Sequence, residues 1–334
     1  MKCIQIAAPA GLDNLRWVER PIQRPAADEI VVRVRASSLN FHDALVVRGI
    51  LPSADGRIPL SDCAGEVVET GSAVNAFKTG DRVLGTFFQH WHSGLATAKA
   101  VSSMRGEHVD GFASEYVTLP ASQFTRAPAH LSNAQACTLP CAALTAWRAL
   151  MVEGALIPGD TVLVKGTGGV ALFAAQFALM AGARVIALTS SAAKVAKLKA
   201  LGVQHALDYQ QVPRWADEVR QLSDGEGVDH VVEVVGGDLT QTLQAMRVNA
   251  HLAIVGTLSR QPMKFSALPA VLGNLRFSAI TVGSREHQVE MVAAVEQAKL
   301  EPVIDRRYPL ANLADAFRYM ETQQHFGKIV ITYG

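Results

Sequence analysis

The stretch Thr161-Val-Leu-Val-Lys165-Gly166-Thr-Gly168-Gly169-Val170-Ala171 decides the fold. Its first five residues are a short apolar run with β-branched side chains, the composition of a strand buried in a parallel sheet. The glycines follow at once, then an apolar helical segment closed by Gly182 and a second strand from Arg184 to Thr189. A strand, a glycine loop and a helix in that order form a pyrophosphate cradle. Gly166 permits a tight turn and Gly168 leaves room for phosphates. The helix start offers unpaired N–H groups and the positive end of its dipole, reaching Gly169 and Val170. Ala171 stands at the third glycine position and is small enough for close helix–strand packing. This context turns a weak glycine pattern into a dinucleotide site.

The residues after the second strand bear on which dinucleotide. A site that holds a free ribose 2′-hydroxyl places Asp or Glu about 20 residues beyond the first glycine. Here Leu188-Thr-Ser190-Ser191-Ala-Ala-Lys194 fills that region, and no carboxylate precedes Asp208. Ser190 and Ser191 are suited to hydrogen-bond a phosphate and Lys194 to pair with it, so NADPH is predicted over NADH. The same residues also suit a plain helix start, with Ser191 as N-cap and Lys194 in solvent.

Working outward, the chain of 334 residues has room for two domains with a substantial core. It is 49% hydrophobic and 18% charged with a net charge of +1, so no basic face for nucleic acid is predicted. No apolar run approaches the roughly 18 residues of a membrane span. The N-terminus reads as a first strand rather than a signal peptide. Cys3, Cys63, Cys137 and Cys141 do not suggest a disulfide framework in a chain this long, and a cytoplasmic setting is expected. Residues 1–127 are strand-rich, with runs at Glu29–Ala36, Glu66–Glu69 and Glu115–Leu119, and read as a compact β-barrel-like domain. Residues 128–280 alternate helix and strand, with further strands at Val203–Asp208, His230–Val235 and Leu252–Val255. Residues 281–334 add helices at Val289–Ala298 and Ala311–Glu321 and a last strand, Lys328–Thr332.

Together these elements resemble the medium-chain dehydrogenase/reductases, specifically the zinc-free quinone oxidoreductase and alkenal reductase branch. The resemblance runs over nearly the whole chain. It rests on Ser38-Leu-Asn-Phe-His-Asp43 with Arg48-Gly49, Ser61-Asp-Cys-Ala-Gly-Glu66, Lys78-Thr-Gly-Asp-Arg-Val83, Leu139-Pro-Cys-Ala-Ala-Leu-Thr-Ala-Trp147, the glycine loop, Val282-Gly-Ser-Arg285 and Phe326-Gly-Lys-Ile-Val-Ile331. It implies an α/β protein: a GroES-like β-barrel catalytic domain (1–127 and 281–334) around a Rossmann domain with a doubly wound parallel sheet (128–280). The cofactor is then expected between the two. Gly166, Gly168, Gly169 and Val170 would hold the pyrophosphate, and Ser190, Lys194 and Tyr209 the 2′-phosphate. Thr145, Gly256, Thr257, Leu258, Thr281, Val282 and Gly283 would line the nicotinamide, and Lys328 would contact the pyrophosphate. The resemblance also implies a homodimer joined near residues 265–280.

Departures from the zinc-dependent branch carry the functional content. There a Cys, a His and a second Cys hold a catalytic zinc. The corresponding residues here are Asn40, Asp62 and Cys141, and the region from Gly85 to Leu119 lacks the cysteines of a structural lobe. An amide, a carboxylate and one thiol make a poor zinc site, so no metal is expected. Asp62 and Cys63 are adjacent, which in a strand sends them to opposite faces. His90 and His92, around Trp91, read as a solvent-facing or substrate-lining loop.

Without a Lewis acid, the acceptor must carry the arriving charge itself. A quinone or an α,β-unsaturated carbonyl does so by conjugation. NADPH-dependent hydride transfer to such an acceptor is the predicted activity. Asn40 would donate its amide to the substrate oxygen. His42 is either a proton relay or a histidine hydrogen-bonded in a turn. Asp62 is either a proton donor or a structural acceptor. Asp43 is expected to anchor its loop, against Arg48, and Cys141 to be a packed residue rather than a nucleophile. The rival readings are an NADP-dependent alcohol dehydrogenase and, more remotely, a non-catalytic nucleotide-binding or structural protein.

Overall fold

The computed structural model describes residues 1–256 and 258–334, in two compact units. The first unit comprises Met1–Leu144 and Gly283–Gly334, the second Thr145–Val282.

The first unit opens with an antiparallel ribbon of β1 (Lys2–Ile6) and β2 (Leu15–Glu19). Its main sheet is built on β3 (Glu29–Ser38), which pairs antiparallel with β4 (Ala64–Thr70) and with the later β6 (Tyr116–Pro120). β5 (Arg82–Gly85), between them in sequence, pairs with β4, and β7 (Phe124–Arg126), which follows β6, pairs with β5. Ile30, Val32 and Val34 alternate along β3 onto one face and pack with Val67, Val83, Phe112 and Phe124 in the barrel core.

Residues 128–144 belong to this unit rather than to the nucleotide-binding one expected from sequence. The reason is packing: Leu131, Ala136 and Leu139 are buried, and the helix Asn133–Ala136 lies against β3 and β4.

The second unit is a six-stranded, wholly parallel sheet: β8 (Thr161–Lys165), β9 (Arg184–Thr189), β10 (His205–Asp208), β11 (Val228–Glu233), β12 (Met246–Ile254) and β13 (Arg276–Ala279). Their spatial order is β10-β9-β8-β11-β12-β13, which is 3-2-1-4-5-6 in the unit's own count. Strand order therefore reverses between β8 and β11, the point where doubly wound sheets bind ligands beyond their carboxyl ends. Leu163, Ile186, Val219, Val231 and Leu252 fill one face of the sheet. β12 begins six residues earlier than its apolar run, because Arg247, Val248 and Asn249 extend along the sheet while exposed.

The chain then returns to the first unit through the helix Arg285–Ala298, capped by the Ser284 hydroxyl, which accepts from His287 N–H at 3.2 Å. β14 (Ile304–Pro309) and β15 (Lys328–Thr332) run parallel, and β15 pairs antiparallel with the end of β3, flanked by the helix Leu313–Glu321. This register brings Lys328, the first residue of β15, to the Leu39–Asn40 corner beyond β3. Among the described residues no helix is long and apolar enough to cross a membrane.

Candidate functional site

In the first unit, three chain segments deliver a buried polar cluster. Asn40 ends the β3 corner and begins the helix Phe41–Val47. Asp43, three residues on, accepts from Asn40 N–H at 2.9 Å through one oxygen and from Ser61 N–H at 3.0 Å through the other. Asp43 thus anchors two loops at once. Its expected partner Arg48 pairs instead with Glu321, at 2.8 and 2.6 Å, because the guanidinium lies on the outer end of the helix beside Leu313–Glu321. The Ser61–Asp62 segment follows Leu60, a buried leucine held at φ +76°, a conformation that costs a side-chain-bearing residue about 1 kcal/mol or more.

Asp62 is completely buried. Its Oδ2 accepts from Ser38 Oγ at 2.5 Å and Asn40 Nδ2 at 2.9 Å, and Lys328 Nζ lies 3.6 Å away. Its Oδ1 has no hydrogen-bond partner among the described residues. Burial pushes this carboxyl up to about 6, against the opposing pull of Lys328 and the Ser38 and Asn40 hydrogen bonds. The Asn40 amide is fully engaged: Oδ1 accepts from Lys328 Nζ at 2.5 Å, and Nδ2 donates to Ser61 Oγ at 3.1 Å as well as to Asp62. Lys328 also donates to the Leu39 carbonyl at 2.7 Å.

His42 lies in the first turn of the same helix. Its Nε2 is 2.7 Å from Glu107 Oε2 and its Nδ1 is 3.7 Å from Asp43 Oδ1, with the ring edge-on to Phe87. Burial works against the imidazolium, but the close carboxylates of Asp43 and Glu107, the latter hydrogen-bonded to Nε2, win and raise His42 to about 9. Glu107 is held below the usual carboxylate range by His42 in turn. Sequence reasoning missed Glu107, which sits 65 residues away in a loop with no motif around it. Burial raises the thiols of Cys137 and Cys141 well above their ordinary value and that of Cys63 to about 12, so none is poised as a thiolate. His90 and His92 lie exposed, and among the described residues no three His, Cys, Asp or Glu side chains are placed to share a metal ion.

In the second unit, β8 leads into the glycine loop. Gly166 takes φ +93° and donates its N–H to Leu188 O, tying the loop to β9. Gly168 precedes the helix Gly169–Met180, and a Cβ built there would meet no protein atom within 4 Å. Next to the loop, Lys165 Nζ donates to the buried Glu233 Oε2 at 2.5 Å, and Glu233 Oε1 accepts from Val235 and Gly236 N–H. Ser190 is exposed just past the end of β9, Ser191 stands at the N-cap position of the helix Ala192–Ala200 that carries Lys194 without a side-chain hydrogen bond to it, and Tyr209 N–H donates to Thr189 O. β10 therefore brings Tyr209 beside Ser190, across a full helix and turn of intervening sequence. Gly256 and Leu258 follow β12 and hydrogen-bond to the carbonyls of Glu233 and Val234; Thr257 lies outside the described residues. Thr145 is buried at the start of this unit. Thr281 is exposed and Val282 takes φ +48° at its end, and Gly283 opens the returning segment of the first unit against Leu144.

Known proteins with this organisation are numerous. A family model described as zinc-binding dehydrogenase matches residues 169–297, and one described as alcohol dehydrogenase GroES-like domain matches residues 26–129. The chain is 36% identical over 333 residues to zinc-type alcohol dehydrogenase-like protein C1773.06c of Schizosaccharomyces pombe, covering 96% of both. It is 30% identical to part of a mycocerosic acid synthase-like polyketide synthase of Mycobacterium tuberculosis, covering 98% of this chain but 15% of the synthase. Among solved structures, one from Sinorhizobium meliloti 1021 assigned as an alcohol dehydrogenase superposes with a TM-score of 0.93 at 36% identity, over 99% of this chain and 98% of that one. An NAD-dependent alcohol dehydrogenase superposes with a TM-score of 0.89 at 29% identity over the whole of both chains.

Proposed function

Because this chain belongs to the medium-chain dehydrogenase/reductase superfamily, we propose that it is a zinc-independent, NADPH-dependent oxidoreductase that reduces a conjugated acceptor, a quinone or an α,β-unsaturated carbonyl. The observation that carries this reading is the donor set around Asp62. Asn40 Oδ1 is taken by an ammonium, and Asp62 Oδ2 by Ser38 and Asn40. A tetrahedral zinc site needs ionised or neutral donors facing one empty centre. Asn40 and Asp62 instead hydrogen-bond each other, with the Lys328 ammonium against both, an arrangement that does not fit a zinc ion.

A nicotinamide cofactor follows from the family, and the glycine loop suits one. The space beside Gly168 and the helix start at Gly169 and Val170 accommodate a pyrophosphate. Ser190 and Tyr209, both exposed, and the half-buried Lys194 lie beyond the ends of β9 and β10, with no carboxylate between Thr189 and Lys194 and with Asp208, the last residue of β10, accepting from Gln210 N–H through Oδ1; this set favours a 2′-phosphate. The bound cofactor supplies hydride. The proton and the charge stabilisation come from Asn40, His42 and Asp62. Asp62 has one oxygen unengaged and a carboxyl near 6, suited to proton transfer close to neutral pH. The longer Asn40–Ser61 hydrogen bond is the one that substrate oxygen would replace, and His42, whose charge is balanced by Glu107, serves as the proton relay.

Thr145, Gly256, Thr257, Leu258, Thr281, Val282 and Gly283 are assigned to the nicotinamide side. A homodimer in the cytoplasm completes the reading. Leu268, Val271, Leu272 and Phe277 are exposed on and beside β13, an edge strand whose free side suits a second copy.

The test is NADPH oxidation with a panel of quinones and enones in the presence of chelator, with metal content measured on the purified protein. Turnover of conjugated acceptors without zinc supports the proposal. The second reading, an NADP-dependent alcohol dehydrogenase, has the Schizosaccharomyces pombe relative's name in its favour. Oxidation of simple alcohols with quinones inert, or activity that appears only on adding stoichiometric zinc, would replace the first reading with it.

A further inference from the structure

We propose that Lys328 is a positioning residue of the reducing site, a built-in cation that fixes the Asn40 amide and balances Asp62, rather than a contact to the cofactor pyrophosphate. The assignment rests on the reading above for its catalytic consequence and on geometry for itself. Lys328 is only 4% exposed. Its ammonium donates inward twice, to Leu39 O at 2.7 Å and Asn40 Oδ1 at 2.5 Å, and lies 3.6 Å from Asp62 Oδ2. Lysine is an adaptable point charge on a long stem, but here the stem is buried and the head is committed.

Two effects follow. An ammonium has only donors, so it dictates which end of the Asn40 amide faces it. Oδ1 must point to Lys328, and Nδ2 is thereby aimed at Ser61 and Asp62, the orientation from which it can meet an anionic oxygen. The second effect is electrostatic. Asp62 is faced by Lys328 from β15, Asp43 from the helix Phe41–Val47, and the thiols of Cys137 and Cys141 from the segment before Leu144, with Cys63 its chain neighbour. Lys328 is the sole cation among these, so its removal leaves a buried carboxyl beside a second carboxylate. Asp62 then holds its proton to higher pH, and Oδ1, which has no hydrogen-bond partner among the described residues, is the oxygen left to carry it.

The experiment compares wild type with K328M, which keeps the stem and removes the charge, and with D62N. Three quantities are measured: NADPH dissociation constant by fluorescence titration, kcat and KM against pH, and unfolding free energy against pH. The last gives the Asp62 titration in each background as the change made by adding D62N to that background, K328M/D62N included, without any need for turnover. For K328M we expect NADPH affinity within about twofold of wild type, kcat reduced at least about tenfold, and Asp62 titrating at least about one pH unit higher. K328A, with methylamine added to restore the missing ammonium, should recover part of kcat. Loss of NADPH affinity by about tenfold with an unmoved Asp62 titration would return Lys328 to the pyrophosphate and overturn the proposal. If wild type reduces no conjugated acceptor, the proposed function fails on its own, while the affinity and stability measurements still decide the place of Lys328. An unmoved Asp62 titration in folded K328M overturns it in either case.

Discussion

Nε2 of His42 and Oε2 of Glu107 lie 2.7 Å apart, an ion pair formed between a helix and a loop 65 residues apart in sequence. The His42 value rises from 6.5 to about 9 on folding, so its stabilising contribution is complete below 6.5 and disappears as pH passes about 9. Glu107 moves the other way; its contribution is present above its ordinary value of 4.5 and lost as pH falls through the depressed one. Glu107→Gln should therefore destabilise the protein by about 2 kcal/mol around pH 6, with the deficit shrinking toward zero above pH 9. Urea unfolding at several pH values measures this. A deficit independent of pH would mean that the pair contributes only shape.

Gly168 separates folding from binding. Its backbone is extended rather than left-handed, and an added methyl would meet no protein atom within 4 Å. Gly168→Ala should leave stability unchanged, or raise it by about 0.5 kcal/mol through the unfolded state. If the loop receives a pyrophosphate, the same methyl intrudes on it, and affinity for NADPH and NADH should fall at least about tenfold together, a cost of about 1.4 kcal/mol. Calorimetry on one preparation gives both numbers. Unimpaired binding would show that the phosphates lie elsewhere.

What sequence reveals and what it hides divide along contact range. β8, β9 and β15 begin and end where their apolar, β-branched runs do, because a strand buried on both faces leaves a continuous hydrophobic signal. The first half of β12 is invisible in sequence, since Arg247 and Asn249 are solvated there and break the run. At the cluster, the Asn40-x-x-Asp43 spacing is a local capping pattern that can be read directly. The partners that matter to its electrostatics, Glu107 for His42 and Lys328 for Asn40, are 65 and 288 residues distant. Only the sheet register of β15 against β3 brings the second pair together, and no linear pattern encodes it.

The partly buried Lys165 and the fully buried Glu233 form an ion pair at the carboxyl ends of β8 and β11, next to the glycine loop. Glu233 also accepts two backbone N–H groups from the Val235–Gly236 turn, so it ties three strand-end features together. Glu233→Gln leaves the lysine charge uncompensated and should cost about 3–5 kcal/mol. Adding Lys165→Met removes that unpaired charge, so the double variant should be at least about 2 kcal/mol more stable than the two single losses add to. A denaturant double-mutant cycle provides the test; additive losses would mean the two charges do not interact.

The 2′-phosphate assignment makes the most discriminating prediction. Ser190 follows β9 and is exposed, Lys194 lies on the next helix, and β10 leads to Tyr209, whose N–H donates to Thr189 O. A charge-assisted contact to phosphate contributes about 1.5–3 kcal/mol, so Lys194→Ala should weaken NADPH by about tenfold to a hundredfold and NADH by less than about twofold. Ser190→Asp should act on both cofactors in opposite senses. Its carboxylate repels a 2′-phosphate and accepts hydrogen bonds from a free ribose hydroxyl, so NADPH weakens while NADH tightens. The two substitutions probe one region from opposite charges, and neither replaces a core residue whose loss would confuse folding with affinity. Equal losses for both nicotinamides in Lys194→Ala, with no reversal in Ser190→Asp, would remove the phosphate from this end of the sheet.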